Sequence, residues 1–319
     1  MLSYSAITAN GDTITLSTPS SLIIQKETDV PADMLTALFP TEIALPELQM
    51  LTVSDGDTTV FTGIVDEQDM ASAISGSFVK VVARSLAALL LDNEALPQNY
   101  INPTIEVIFD RHIRDYGLAG FISDKPASEG TLSVTKGVTE WYVLNSFCKN
   151  FLNTTPRITE NGMVDVSESA QKNAVLFNNN GSEIQYFISN VSIKRNKLIS
   201  QVLVRTDLKS GYTFSVFNKD AVTRGVKRKR YLNAVGDNYG MIQTADKIMD
   251  IGNEDSFDLT IVCPCMIVNC LGSKAVLEDS TDYQNENLYV NKIEYILNQN
   301  QEKTTIHLVR KAESSYVAT

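Results

Sequence analysis

Residues 60–85 read VFTGIVDEQDMASAISGSFVKVVARS, and residues 288–310 read LYVNKIEYILNQNQEKTTIHLVR, with the same order of features. In each copy an acidic turn leads to a strand-like run, a polar gap follows, and a second strand-like run ends at an arginine. The spacing is 21 residues from Gly63 to Arg84 and 19 residues from Asn291 to Arg310. This repetition predicts one β-barrel module used twice, with helices between the copies.

The region around the first copy is predicted to be rich in β-strands. From Ile7 to about Arg84, short apolar segments alternate with turn residues, which is typical of strands. Two hairpin turns are predicted, at Asn10-Gly11-Asp12 and at Asp55-Gly56-Asp57, because glycine and asparagine tolerate the positive φ angles of tight turns. Residues 1–91 are therefore expected to form the first β-barrel domain.

Two short helices are expected in or beside this domain. Pro31 suits a first helical position and Pro40 would end a helix, so the sequence predicts a helix from Pro31 to Phe39. The run Ser85–Leu91 is apolar and predicts one or two helical turns.

The clearest helical pattern begins near Asn102. Asn102 can cap a helix, Pro103 fits its first turn, and apolar residues then recur on one face until Gly117. His112 lies on that face. We expect a packed histidine with one hydrogen-bonded nitrogen, since no second histidine or nucleophile motif accompanies it.

A further helix is predicted from about Thr139 to Leu152, with Trp141 in its apolar stripe as a core anchor. Asn161-Gly162 then predicts another hairpin. Residues 92–180 are accordingly expected to form a mixed α/β region between the two barrel domains.

The remaining residues, 181–319, are expected to form the second β-barrel domain. A short helix is predicted from Thr244, as its cap, to Ile251, ended by Gly252. The strand-like runs are Phe187–Ile193, Leu198–Thr206, Tyr212–Phe217, Phe257–Asn269, Tyr289–Leu297 and Thr304–Arg310.

Charge and hydropathy argue against some classes of partner. The chain has 38 acidic and 27 basic residues, a formal net charge of −11. This balance disfavours attraction to phosphate backbones and to anionic membranes. The first residues lack a secretory signal pattern, and no apolar run approaches the roughly 20 residues of a membrane span. We therefore expect a chain made in the cytoplasm, with no membrane partner and no specific nucleic-acid binding.

Four cysteines are too few for a secreted disulfide scaffold of this length. Cys148 lies in a predicted helix, and Cys263, Cys265 and Cys270 lie in the apolar run TIVCPCMIVNC. These three thiols could be part of a metal site, but a structural zinc site takes four ligands, and no fourth accompanies them. The sequence predicts buried cysteines, no metal and no cofactor.

An enzyme is the first alternative. A cysteine peptidase needs a cysteine and a histidine near a helix start, but Cys148 falls mid-helix and the histidines are His112 and His307. A glycosidase pair is not recognisable among 38 acidic residues. Nucleophile-elbow, phosphate-loop and paired-histidine motifs are missing, so no catalytic residue is assigned.

A nucleic-acid-binding module is the second alternative, prompted by the basic run of Arg224 and Lys227 to Arg230. The run is short and has no aromatic residue before Tyr231. A charged contact with a neighbouring subunit is the preferred interpretation, with Arg228 and Arg230 serving it.

Several stretches resemble one family in the same order along the chain. They are FTGIVDE, VKVVARSLAALLLDNEALP, NPTIEVIFDRHIRDYG, WYVLNSFCKNFLNTTPRITENG, RNKLISQVLVRT, RKRYLNA, TADKIMDIG and LYVNKIEYILNQNQEKTTIHLVRK. Together the sequence resembles phage baseplate hub proteins of contractile tails, including those of PBSX-type prophages and phage-tail-like bacteriocins. The resemblance covers nearly the whole chain through the order of weak motifs.

This resemblance implies a non-enzymatic virion protein of the baseplate. Its fold would be α+β and β-rich, with two tail-tube-like β-barrels and the α/β region between them. Its partners would be two further copies of itself, the tail tube or tube-initiator protein, the central spike protein and other baseplate components. Three chains with two barrels each would imitate a hexamer above a three-fold spike. A hydrolase-bearing hub and the hub of a non-contractile tail remain alternatives.

Overall fold

The computed structural model describes residues 2–73, 76–124, 126–167, 174–179, 183–205, 209, 211–233, 241–278, 287–310 and 316–318. The fold is α+β and β-rich, as the sequence predicts, with several sheets and few helices. The chain forms two compact units. Unit 1 comprises Met1–Lys172, Cys265–Leu271 and Lys292–Thr304, and unit 2 comprises Asn173–Pro264, Gly272–Asn291 and Thr305–Thr319. The boundaries after residues 91 and 180 stay a prediction.

Seven strands open unit 1. They are β1 (Leu2–Thr8), β2 (Thr13–Thr15), β3 (Ser21–Glu27), β4 (Met34–Thr41), β5 (Leu48–Asp55), β6 (Thr58–Ala73) and β7 (Gly76–Ser85). Their order in the sheet is β3-β4-β7-β6-β5-β1-β2, and every adjacent pair is antiparallel. Burial alternates along β3 and β7, so one face of this sheet covers a core.

The predicted tight turns are confirmed. Gly11, with φ of 87°, joins β1 to β2, and Gly56, with φ of 56°, joins β5 to β6. Both φ angles lie in the left-handed region that glycine adopts without a steric penalty. Local turn chemistry therefore places these two hairpins.

The predicted helix from Pro31 to Phe39 is wrong. Strand β4 occupies Met34–Thr41, and it pairs with β3 on one side and β7 on the other. Leu35, Ala37 and Phe39 are buried while the residues between them are not. This period of two fits a central strand, and burial of the strand in the sheet outweighs the proline signals for a helix.

The rest of unit 1 contains helices and short strands. They are α1 (Ala88–Leu91), β8 (Gln98–Ile101), α2 (Ile105–His112), a 3-10 turn (Arg114–Tyr116), β9 (Gly120–Ile122), β10 (Thr131–Val134), α3 (Glu140–Phe147), a π-helical turn (Cys148–Leu152), β11 (Arg157–Ile158) and β12 (Met163–Asp165). Strands β8 and β10 form one small sheet, and β11, β12 and β9 form another.

The long predicted helices of this region are confirmed, with one change at a cap. Thr104, not Asn102, caps α2 by accepting a hydrogen bond from the backbone N–H of Val107. Thr139 caps α3 in the same way. Trp141 is 7% exposed and belongs to the hydrophobic core between these helices, as expected of an anchor.

Unit 2 contains the following elements. They are β13 (Val175–Asn178), β14 (Ile184–Gln185), β15 (Ile188–Ile193), β16 (Gln201–Arg205), β17 (Phe214–Asn218), α4 (Lys219–Thr223), β18 (Lys229–Asn233), α5 (Met241–Ser256), β19 (Phe257–Cys263), β20 (Lys274–Leu277), parts of β21 (Leu288–Asn298) and β22 (Gln301–Arg310), and β23 (Tyr316–Ala318). One sheet has the order β14-β13-β20-β21-β22-β19-β15, and a second has the order β18-β16-β17-β23.

Helix α5 covers the second sheet of unit 2. Ala245 and Met249 pack against Val202, Val204 and Val216. The helix is longer than predicted, since it continues past Gly252 to Ser256. A Cβ at Gly252 would lie 3.0 Å from the carbonyl oxygen of Lys197, so the glycine permits close packing and does not end the helix. The predicted cap, Thr244, lies outside the residues whose side chains are described.

The hairpin of β21 and β22 is divided between the two units. Leu288 and Tyr289 pair with β20 in unit 2, whereas Lys292–Asn298 pair with β3 in unit 1. Strand β22 likewise begins in unit 1 and ends in unit 2, where it pairs with β19. Residues late in the chain therefore complete the sheet of unit 1.

Within the described residues, no helix has the length and apolar character needed to cross a membrane.

Candidate functional site

Each of the two sequence repeats forms a hairpin, and the arginine at its end contacts other side chains of the same unit. In unit 1, the guanidinium of Arg84 donates to Asp66 at 2.6 Å and to Asp92 at 2.7 Å. The hydrogen bond from Arg84 to Asp92 lowers the pKa of Asp92. In unit 2, Arg310 lies over the ring of Phe257, 3.8 Å from its centroid. The arginine thus anchors the end of its strand in both repeats, by different contacts.

Gly63, in the first repeat, is required by close backbone packing. It pairs with Ser85 across the β6–β7 ladder. A Cβ at position 63 would lie 2.2 Å from the carbonyl oxygen of Arg84. No side chain fits there without moving the strand.

His112 lies in a buried hydrogen-bond network. The residue is 1% exposed, and its Nδ1 lies 2.6 Å from a carboxylate oxygen of Glu140. Because a carboxylate only accepts, Nδ1 donates to it. The Tyr100 hydroxyl lies 2.7 Å from Nε2, and the Tyr116 hydroxyl donates to Glu140 at 3.4 Å. Both ring nitrogens have partners, one more than the sequence predicts, and the network joins α2 to α3.

Cys148 is fully buried at the start of the π-helical turn. Burial raises the pKa of its thiol to about 12, so the reactive thiolate is scarce at neutral pH. His307 lies in unit 2, where Nδ1 contacts Asp258 at 3.0 Å. Cys148 is therefore a core residue of unit 1, and His307 is hydrogen-bonded within unit 2.

The cysteines of the TIVCPCMIVNC run do not share one environment. Strand β19 ends at Cys263, which is buried, whereas Cys265 is exposed and Cys270 is buried. The run is therefore a strand only in its first part, which corrects the predicted strand to Asn269. Among the described residues, no group of three histidine, cysteine or acidic side chains is placed to hold a metal ion.

A buried ionic cluster in unit 1 was not predicted. Lys26 is 2% exposed; its ammonium donates to Glu160 and lies 3.9 Å from Asp33. Arg157 contacts both oxygens of Asp33, at 3.0 and 3.1 Å. Lys26 shares the buried face of β3 with Leu22 and Ile24, so the one available sequence signal was a lysine in phase with an apolar stripe.

The protonation equilibria of this cluster follow from burial and charge. For Asp33, burial outweighs the attraction of Arg157 and Lys26, so its pKa is raised. For Glu160, burial also raises the pKa, but Lys26 and further hydrogen bonds together lower it below its ordinary value. The cluster ties β3 to the segment that carries β11.

The basic run forms part of a cationic surface in unit 2. Arg224 follows α4, and Lys229 and Arg230 begin β18. A cavity of about 480 Å³ lies beside this run. It is lined by Arg195 and Asn196, from the turn after β15, and by residues 225–228. The guanidinium of Arg195 donates to the carbonyl of Arg224. We define the cationic surface as Arg195, Arg224, Lys227, Arg228, Lys229 and Arg230.

The fold is that of phage tail proteins and of the related gp27-like proteins of injection machines, which confirms the resemblance seen in the sequence at the level of the fold. A tail protein from Neisseria meningitidis MC58 superposes with a TM-score of 0.77 at 15% identity, over 98% of this chain and 97% of that one. The 43 kDa tail protein of prophage MuSo2 from Shewanella oneidensis gives 0.75 at 14% identity, over 97% of each chain.

A more distant match comes from a component of the type VI secretion system of E. coli, described as similar in structure to the T4 bacteriophage tail proteins gp27 and gp5. Its TM-score is 0.59 at 10% identity, over 98% of this chain and 77% of that one. No protein-family model matches the sequence, and no curated protein does.

Proposed function

We propose that this chain is a structural baseplate hub subunit of a phage or phage-tail-like particle. Three copies would form a pseudo-hexameric ring that connects the tail tube to the central spike. The observation that carries the proposal is the match to tail proteins over nearly the full length of both chains. A match of this extent includes both compact units and not one common module.

The two repeated hairpins support the ring. Strands β6 and β7 belong to unit 1, whereas the second hairpin is shared, with residues 288–291 and 305–310 in unit 2 and residues 292–304 in unit 1. If each unit contributes one tube-like barrel, three chains present six similar surfaces to a six-fold tube and keep three-fold symmetry toward the spike. Three chains with a single barrel each would present only three such surfaces to a six-fold tube.

The polar clusters support a structural role. His112, Glu140, Lys26 and Asp33 are all buried, and each is hydrogen-bonded or ion-paired within unit 1. A catalytic group must reach its substrate. Their contacts instead join α2 to α3, and β3 to the segment that carries β11, which suits a structural subunit.

Sedimentation equilibrium of the purified chain, alone and with its central spike protein, tests the proposal. We expect three times the chain mass, and three copies in the complex with the spike. Electron microscopy of the ring should show near six-fold symmetry on one face and three-fold symmetry on the other. A monomer in both samples would refute the proposal. Lysis of peptidoglycan by the pure chain in a zymogram would favour the hydrolase alternative.

A further inference from the structure

The positive charge of the chain is concentrated in one stretch. Residues 194–230 contain 11 lysine and arginine residues against 2 aspartates, a formal charge of +9. The rest of the chain contains 16 basic and 36 acidic residues, a formal charge of −20. A chain with this charge distribution can attract a second copy of itself electrostatically.

Arg195, Lys227 and Arg228 line one cavity, and Arg224, Lys229 and Arg230 are their neighbours along the chain. Arg195 reaches the backbone of Arg224, which brings the turn after β15 beside the turn after α4. Lys197 in the first turn contacts Asp255 at 3.6 Å. In the part of the chain that the structure describes, the cationic surface itself has no ion pair with a carboxylate. Its like charges repel one another until an anionic group approaches.

The cationic surface includes a sheet edge. Strand β18 is the terminal strand of the sheet β18-β16-β17-β23, and among the described strands it pairs only with β16. Lys229 and Arg230 are exposed on it, and Tyr231 is 65% exposed. The Tyr231 ring packs edge-on against Tyr212, with centroids 5.1 Å apart. Cations on an edge strand discourage indiscriminate strand pairing and favour an acidic partner.

We infer that the cationic surface is a subunit contact, occupied by the acidic surface of a second copy of this chain. The inference rests on the proposed function, because a closed ring of three identical chains has head-to-tail interfaces in which two different surfaces meet. An otherwise acidic chain with one cationic surface supplies these two unlike surfaces. The contact would set which copies approach and in which orientation.

Charge reversal tests the contact. The variant Arg228→Glu with Arg230→Glu should weaken trimer formation by at least about tenfold in sedimentation experiments, because it replaces attraction with repulsion at the interface. Raising NaCl to about 1 M should weaken the wild-type trimer, since exposed charges are then screened within about 3 Å. The matched control, Lys80→Glu with Lys149→Glu, changes the net charge equally at two exposed positions in unit 1 and should keep the wild-type mass.

Cross-linking identifies the occupant directly. Trimers assembled from a mixture of ¹⁴N-labelled and ¹⁵N-labelled chains would be treated with a carbodiimide, which joins a lysine amine to a touching carboxylate. Mass spectrometry should then find links between Lys227 or Lys229 of one label and an acidic residue of the other label. Folding of each variant is checked by far-ultraviolet circular dichroism and thermal unfolding, which report on both units.

Each outcome decides between the two proposals. A wild type that stays monomeric at every concentration, with and without spike, overturns both. A wild-type trimer with no mixed-label links, whose charge-reversed variant is equally trimeric, overturns the subunit contact and leaves the hub proposal standing. A variant that stays trimeric but loses spike binding assigns the surface to the spike and also overturns the contact. If the variant does not fold, the mixed-label links of the wild type decide.

Discussion

Lys26→Met should destabilise unit 1 by about 3 kcal/mol. Removing one partner of a buried ion pair costs about 3 to 5 kcal/mol, because the other charge stays buried without compensation. Glu160 loses its cation, but its side chain is 31% exposed, which places the loss at the lower end. Asp33 keeps Arg157 at 3.0 Å. Methionine also retains most of the lysine's hydrocarbon packing, so the cavity contribution is small.

The measurement is urea denaturation at pH 7, followed by the fluorescence of Trp141. This is the one tryptophan of the chain, and it lies in unit 1 with the cluster. The matched control is Lys80→Met, at an exposed position of β7, where we expect a change within about 0.5 kcal/mol. The double variant Lys26→Met with Glu160→Gln should recover at least about 1 kcal/mol, because it no longer buries an unpaired carboxylate.

The same variant has a defined pH dependence. The folded-state pKa of Glu160 lies below its ordinary value of 4.5, so its ionised form contributes stability above about pH 4.5, and this is lost as pH falls through the folded-state pKa. The difference between wild type and Lys26→Met should therefore be constant near neutral pH and should shrink on acidification. Equal losses for Lys26→Met and Lys80→Met, or additive losses in the double variant, would refute the ion-pair argument.

Three smaller predictions concern packing and reactivity. His112→Ala should cost about 2 to 4 kcal/mol in urea denaturation, because Glu140 is left buried without its main donor; a loss under 1 kcal/mol would contradict this. Gly252→Ala should lower stability by about 1 to 2 kcal/mol, since its Cβ meets the Lys197 carbonyl at 3.0 Å, and a gain would show that the helix can shift. Iodoacetamide at pH 8 should label the exposed Cys265 before Cys148, because burial raises the pKa of the Cys148 thiol to about 12. The labelled peptides are identified by mass spectrometry, and early labelling of Cys148 would disprove its burial.

Sequence reasoning succeeded where a local signal determined the structure. Asn10-Gly11 predicts its hairpin because the positive φ is a property of the turn itself. The helix from about Thr139 is predicted for the same reason, since the residues of its apolar stripe lie within a few positions of each other. The β-rich class follows from the accumulation of such signals.

Sequence reasoning failed where distant parts of the chain meet. The predicted helix from Pro31 to Phe39 gave local proline signals too much weight, and pairing with β7 determines that segment instead. Glu140 lies 28 residues from His112, and Glu160 lies 134 residues from Lys26, so neither partner could be found by spacing. The fold as a whole could be predicted only from the order of many weak motifs along the chain.

The division of the last hairpin bears on how the protein is made. Strand β3 pairs with residues 292–298, which the ribosome supplies after most strands of unit 2. During synthesis one edge of β3 therefore stays unpaired, and an open strand edge can capture other nascent chains. Pairing between such distant segments also folds slowly. Expression at low temperature or with chaperones should therefore raise the yield of native protein. Pairing of the late hairpin with β3 would be the last step in the folding of unit 1.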